Sequence, residues 1–224
     1  MKAQIDTPYH SYNRYFLGFF LLWLIVGGIL QLCYSQEEIF KAINTRHTPF
    51  LDKALYVFTL LGEGVSSAII LVSFFAWKAY RNWWYFLTAA LSNVVPAVLV
   101  TQSLKSIVAA PRPMRLLGEM PWIHYLPEWP LLMERSFPSG HTCAAFSLWY
   151  FLACLLKPGY KFWGVVFFFC AAITGYSRVY LTAHFFRDVY VASIIAIVFV
   201  TLILALMRRF TPSRTGRTPE TKIN

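Results

Sequence analysis

Apolar residues in this chain run in long blocks rather than alternating with polar ones. Six blocks stand out: roughly Phe16 to Tyr34, Ala54 to Trp77, Trp83 to Leu104, Thr142 to Leu156, Phe162 to Tyr180 and Phe185 to Met207. A helix needs about 20 apolar residues to cross the hydrocarbon core, so the pattern predicts an all-α integral membrane bundle of six transmembrane helices. The fourth block is the shortest, and the fifth and sixth are nearly continuous. Trp23, Trp77, Trp83, Trp84, Trp149 and Trp163 fall mostly toward block ends, where amphipathic rings sit at headgroup level. The organisation expected is an N-terminal segment over 1–15, one membrane domain over 16–210 and a polar basic tail over 211–224. The first block is too long for a signal peptide and no small-residue cleavage site follows it, so it is expected to remain as a span.

Composition agrees. The chain is 58% hydrophobic and only 13% charged, against about 25% charged for an ordinary soluble domain. That excludes a disordered chain, a disulfide-stapled secreted module and a coiled coil. The net charge of +10 would suggest nucleic acid in a soluble protein. Its distribution points to topology instead, and no nucleic-acid partner is expected. The two tails and the second and fourth loops hold eleven bases, Lys78 and Arg81 among them, against two acids; the other side holds nine bases against eight acids. The positive-inside rule then puts both termini in the cytoplasm and loops one, three and five outside. Cys33, Cys143, Cys154 and Cys170 lie in or beside apolar blocks without CxxC spacing and read as lipid-buried or core thiols.

Loop three, from Lys105 to His141, is the longest connection, and it becomes a long extracytoplasmic loop between helices three and four. Its six prolines, with Trp122, Tyr125 and Trp129, argue for a segment lying along the membrane surface. Three polar clusters flank the blocks. Lys105 and Arg112-Pro113 read either as an anion clamp or as a snorkelling lysine followed by a solvated arginine. Pro138-Ser139-Gly140-His141 reads either as a phosphate-binding helix start carrying a proton donor or as an ordinary turn and cap. Ser177-Arg178, His184 and Asp188 read either as a histidine nucleophile with its carboxylate, four apart on one helix face, or as a structural pair. The loop charges take no account of these motifs, yet they put all three on one membrane face. That coincidence favours one composite site.

Lys105-x6-Arg112-Pro113, Pro138-Ser139-Gly140-His141 and Ser177-Arg178-x5-His184-x3-Asp188 resemble the three-part signature of the type 2 phosphatidic-acid phosphatase superfamily, and in particular its six-span lipid-phosphatase branch. All eleven signature positions match in order and spacing. The resemblance covers roughly Phe16 to Met207. It implies a phosphatase that needs no metal or other cofactor and works through a phosphohistidine. His184 would attack phosphorus, Asp188 would orient it, and His141 would protonate the leaving oxygen and later activate water. Lys105, Arg112 and Arg178, with Ser139 and the Gly140 N–H, would hold the phosphoryl oxygens. Three cations at that point can replace magnesium, because phosphoryl transfer is mainly positioning and charge neutralisation.

The partner expected is a lipid phosphate in the bilayer: undecaprenyl diphosphate, phosphatidylglycerol phosphate, phosphatidic acid or lipid A phosphate. Compact architecture suggests a bacterial inner membrane with the site facing outward, and a cell-envelope lipid. Glu63, in Gly62-Glu63-Gly64, reads either as an accessory group that pairs with a site cation or assists protonation, or as a merely interfacial acid. His10, His47 and His124 have no partner at useful spacing and read as surface residues; Arg115 and Arg135 read as solvated interfacial charge. Rival classes are a lipid phosphotransferase using the same site, a transporter and a vanadate-dependent haloperoxidase.

Overall fold

The computed structural model describes residues 12–60, 62–76 and 83–210. Lys78, Arg81, His10 and the 211–224 tail lie outside the described residues. The described chain is helical, with no strand: α1 (Arg14–Cys33), α2 (Gln36–Asn44), α3 (Pro49–Leu60), α4 (Gly64–Ala76), α5 (Trp83–Val94), α6 (Thr101–Val108), α7 (Pro113–Leu117), α8 (Gly140–Leu155), α9 (Gly164–Tyr180) and α10 (Phe186–Phe210).

Four helical stretches are long and apolar enough to cross a membrane: α1, the run from Trp83 to Leu117, the run from Pro158 to Tyr180, and α10. A fifth is gained if α3 and α4 form one broken span, bent by 61°. The break falls at Gly62-Glu63, where α3 ends in a turn with the Gly62 N–H on the Thr59 carbonyl at 3.0 Å. The fourth apolar block forms α8, which at 16 residues is shorter than a usual span. It lies at the centre of the bundle, with almost every residue from Thr142 to Leu155 buried. That explains why it is apolar all round: a helix walled by other helices has no solvent face.

Local chemistry sets the helix ends. Asn13 caps α1 by accepting from the Tyr15 and Phe16 N–H groups at 3.1 Å, and its amide donates to the Ala153 and Lys161 carbonyls at 3.0 Å. One buried side chain thus joins the start of α1 to the end of α8 and the 3-10 turn Pro158–Trp163. Ser35 and Glu38 form a capping box that starts α2, a helix the hydropathy pattern does not announce. Pro96 interrupts the third apolar block; it has no N–H to donate, and the helix widens into a π-helical segment, Val95–Val100.

Apolar helices gain little from water exclusion in lipid, so close packing holds them together. Phe16 packs on Tyr150 and Phe168 at ring separations of 5.1 and 5.6 Å. Gly175 lets α9 approach α10, since a Cβ there would stand 2.9 Å from the Val189 side chain. Gly62 similarly admits the α3–α4 break against α8, where a Cβ would lie 2.8 Å from the His141 carbonyl oxygen. Outward faces carry large aliphatics such as Leu21, Ile25, Ile29 and Ile69, as lipid contact requires.

Candidate active site

The three clusters meet at one end of the bundle. α8 starts there, α9 ends there, and α10 starts again after the short turn 181–185. Ser139 caps α8, its Oγ accepting from the Thr142 hydroxyl at 2.9 Å, and its own N–H donates to the Asp188 carbonyl at 3.1 Å. The first turn of α8 is thereby tied to the first turn of α10. Gly140 follows with no side chain, and Lys105 Nζ stands 3.8 Å from where a Cβ would be. An ammonium therefore overlooks the unpaired N–H groups of a helix start, an arrangement suited to an anion.

Arg178 ends α9 almost wholly buried. Its Nη1 donates to Thr59 Oγ1 at 2.6 Å, its guanidinium lies 4.8 Å over the Trp129 ring, and its Nε has no acceptor. Arg112 is equally buried and points at backbone: Nε donates to the Glu134 carbonyl at 2.7 Å, Nη1 to Ala183 at 2.9 Å and Nη2 to Arg135 at 3.5 Å. Guanidinium has five N–H groups, so one remains on each terminal nitrogen. Among the described residues, none of Lys105, Arg112 and Arg178 forms an ion pair with a carboxylate. Three buried or half-buried cations without a carboxylate in contact are costly, and a bound anion would lower that cost.

His184 and Asp188 are brought together, but not along one helix face as their spacing suggests. α10 begins at Phe186, and His184 lies in the preceding turn, its N–H on the Arg178 carbonyl at 3.1 Å. Asp188 folds back to accept from the Phe185 N–H at 3.0 Å, and its Oδ2 stands 3.6 Å from His184 Nδ1. Burial above all pushes the His184 imidazole well below its usual range; Arg112 and Arg178 act in the same direction and the Asp188 carboxylate opposes them. His184 is therefore neutral at pH 7, with a lone pair to use. His141, in the first turn of α8, lies within electrostatic reach of His184, Arg178, Lys105 and Arg112. Glu63 lies within reach of Arg178 from the α3–α4 break, without an ion pair to it.

Three residues at this site carry no sequence signal. Ser136 donates to Asp188 Oδ2 at 2.5 Å, Thr59 holds Arg178, and Trp129 covers it. Ser136 and Thr59 lie outside the signature, and Trp129 is one of several aromatics in its segment.

The reading of His124 as a surface residue without a partner is corrected, whereas His47 is exposed as expected. Their rings stack at 3.9 Å, and His124 Nε2 lies 2.9 Å from Asp52 Oδ1, which also accepts from the Tyr180 hydroxyl at 2.5 Å. The partners come from α3 and the end of α9, which no local spacing connects to position 124. Arg115 and Arg135 are exposed, as expected of solvated charge; Arg115 meets the equally exposed Glu134, and the Arg135 backbone carbonyl serves Arg112.

The sequence profile of the PAP2 superfamily matches residues 81–212, more than half the chain. The chain belongs to the PAP2 superfamily. Two solved structures place its fold among PAP2 membrane proteins. LpxE from Aquifex aeolicus is similar to this PAP2 chain over 75% of its length and 93% of the LpxE chain, with 29% identity and a TM-score of 0.60. The transmembrane PAP2 type phosphatidylglycerolphosphate phosphatase from Bacillus subtilis is similar over 89% of this chain and 98% of that one; at 23% identity and a TM-score of 0.63, that likeness concerns fold. No curated protein matches.

Proposed function

We infer that this PAP2 protein is a membrane lipid phosphatase that hydrolyses a phosphomonoester or diphosphate on a lipid through a phosphohistidine. The observation that carries the reading is the gathering of three cations without carboxylate partners around a neutral buried histidine and an open helix start.

In this reading Lys105, Arg178, the two remaining Arg112 N–H groups, the Ser139 hydroxyl and the Gly140 N–H hold the phosphoryl oxygens. Nε2 of His184 attacks phosphorus, forming the P–N bond as the P–O bond to the lipid breaks. His141, protonated once the phosphate anion is bound beside it, gives its proton to that oxygen. The imidazole turns cationic in the step, and the Asp188 carboxylate stabilises it. His141, now neutral, takes a proton from water, whose oxygen bonds phosphorus as the P–N bond to His184 breaks, releasing phosphate and restoring both histidines. The cations neutralise charge on the oxygens throughout, and no metal or other cofactor is required.

A lipid substrate is supported by a cavity of about 300 Å³ between α4, α5, the π-helical segment and α8. Its wall is mostly apolar, including Ala68, Leu71, Ala90, Ala97 and Ala144. Ala144 is one turn along α8 from Gly140, and Gly64, also in the wall, follows Glu63. A hydrocarbon chain lodged there would leave its phosphate beside the cations. With α8 and the α3–α4 pair counted as spans, the described residues supply six. The loop charges favour an outward-facing site with both termini cytoplasmic, and the compact architecture suggests a bacterial inner membrane. Undecaprenyl diphosphate, phosphatidylglycerol phosphate, phosphatidic acid and lipid A phosphate all suit such a site.

Phosphate release by detergent-purified protein and its His184→Ala variant, over those four lipid classes with and without EDTA, tests this. Release that tolerates EDTA and vanishes in the variant is expected. Equal release by both proteins would overturn the phosphohistidine. No release in water but transfer to an added lipid alcohol would make the protein a phosphotransferase.

A further inference from the structure

Ser136 lies outside the three-part signature, yet it touches both members of the dyad. The hydroxyl is fully buried, 2.5 Å from Asp188 Oδ2 and 3.4 Å from His184 Nδ1. His184 and Asp188 are 3.6 Å apart, so Ser136 is closer to each than they are to one another. At that separation the carboxylate alone would hold the imidazole weakly.

The chemistry of attack settles the proton positions. Nε2 must carry the lone pair that reaches phosphorus, so the proton sits on Nδ1, the nitrogen facing Ser136 and Asp188. A hydroxyl has one hydrogen to give and lone pairs to accept with. Ser136 gives its hydrogen to Asp188 and offers its oxygen to Nδ1–H, so the ring is tied to the carboxylate through the serine. Asp188 Oδ2 is held in turn by the Phe185 N–H at 3.0 Å.

The backbone that carries Ser136 is also fastened to the residues around Arg112. The Ser136 N–H donates to the Ala110 carbonyl at 2.8 Å, and the Arg112 N–H to the Met133 carbonyl at 2.9 Å. The Arg112 side chain bonds Glu134 and Arg135 on one side and Ala183, next to His184, on the other. Phosphate-binding arginine, bridging serine and nucleophile thus share one frame.

We propose that Ser136 is the positioning residue of the nucleophile, fixing the tautomer and ring orientation of His184 by bridging it to Asp188. No bond to Ser136 is made or broken in the reaction, and its proton stays on oxygen. This rests on the phosphohistidine reading, and the experiment separates the two. Steady-state and single-turnover phosphate release are measured on the full-length protein for wild type, His184→Ala, Ser136→Ala, Ser136→Cys and Ser136→Thr, together with thermal melting. Ser136→Ala and Ser136→Cys are expected to lose on the order of 10–100-fold in kcat and in the rate of phosphoenzyme formation, with KM unchanged, the protein folded at the assay temperature and only a modest fall in melting from the lost bond to Asp188. Ser136→Thr, which keeps the hydroxyl, is expected to recover much of that loss. A merely space-filling serine would be served by cysteine. Wild-type kcat in either the Ala or the Cys variant overturns the proposal while leaving the reaction intact, and Cys gives the answer if Ala fails to fold. Equal activity in wild type and His184→Ala overturns the underlying reading and this proposal with it.

Discussion

Among the described residues, two histidine–aspartate pairs lie at the same end, and the better hydrogen bond belongs to the pair we assign no chemistry. His124 and Asp52 meet at 2.9 Å, whereas His184 and Asp188 stand at 3.6 Å. The first pair is about one-fifth exposed and satisfied by neighbours: Tyr180 donates to Asp52, His47 stacks on the ring, and Asn44 and Thr182 both donate to the His124 carbonyl. Its effect is to pin the 118–139 segment against α2, α3 and the end of α9, bringing Trp129 over Arg178. It also steadies the turn at Thr182, whose φ of 60° is unusual for a β-branched residue. The second pair is fully buried and surrounded by cations, and Asp188 Oδ1 has no hydrogen bond, only the Arg187 guanidinium 3.6 Å away. Cations that form no direct ion pair, gathered around a loosely held imidazole, mark the reactive pair, and a short contact does not.

The sharpest way to break this contrast is to delete each histidine. His184→Ala should lower phosphate release by about a thousandfold or more. His124→Ala should keep kcat within a few-fold while lowering stability by roughly 1–3 kcal/mol, since it strands Asp52 and loosens the segment. A catalytic collapse in His124→Ala with unchanged melting would reverse the assignment. Arg178→Lys should cost about 10²–10³-fold in kcat/KM, because an ammonium cannot keep the Thr59 bond and still present a planar fork. A lysine variant as active as wild type would make Arg178 structural.

The pH profile separates the pairs more gently. Attack needs neutral His184, and burial depresses its pKa, so the acid limb of kcat/KM should lie below the free imidazole value of about 6.5. An acid limb at or above that value would mean some other group titrates. Smallest and most selective is Ala90→Leu, which fills part of the apolar cavity. It should lower kcat/KM for long-chain lipids by roughly 10–100-fold relative to a short-chain phosphate. Equal losses on both substrates would remove the cavity from the lipid reading.

The legible part of this protein was local. Apolar blocks became helices close to where hydropathy put them, and Lys105, Arg112, Ser139, Gly140, His141, Arg178, His184 and Asp188 all gathered at one end. What was missed depended on breaks and folds that hydropathy does not record. The second block is not a straight helix, because Gly62 and Glu63 bend it against α8, and α2 arises from a capping box in a stretch of low hydropathy. His124 looked alone because its partners lie in α3 and α9.

The sequence by itself determined that the chain is helical, that it is built for a bilayer, and which residues bear the family signature. Those are properties of runs and short spacings: a run of apolar residues is what a helix in lipid requires, whatever surrounds it. Only the tertiary structure decided that Ser136 bridges the dyad across 52 positions, that Thr59 holds Arg178 across 119, and that Arg112 spends three N–H groups on backbone carbonyls. Those contacts depend on how closely α8, α9 and α10 pack and where the α3–α4 break falls. Helix packing and bend angle are set by small residues meeting across the bundle, and no local pattern carries that information.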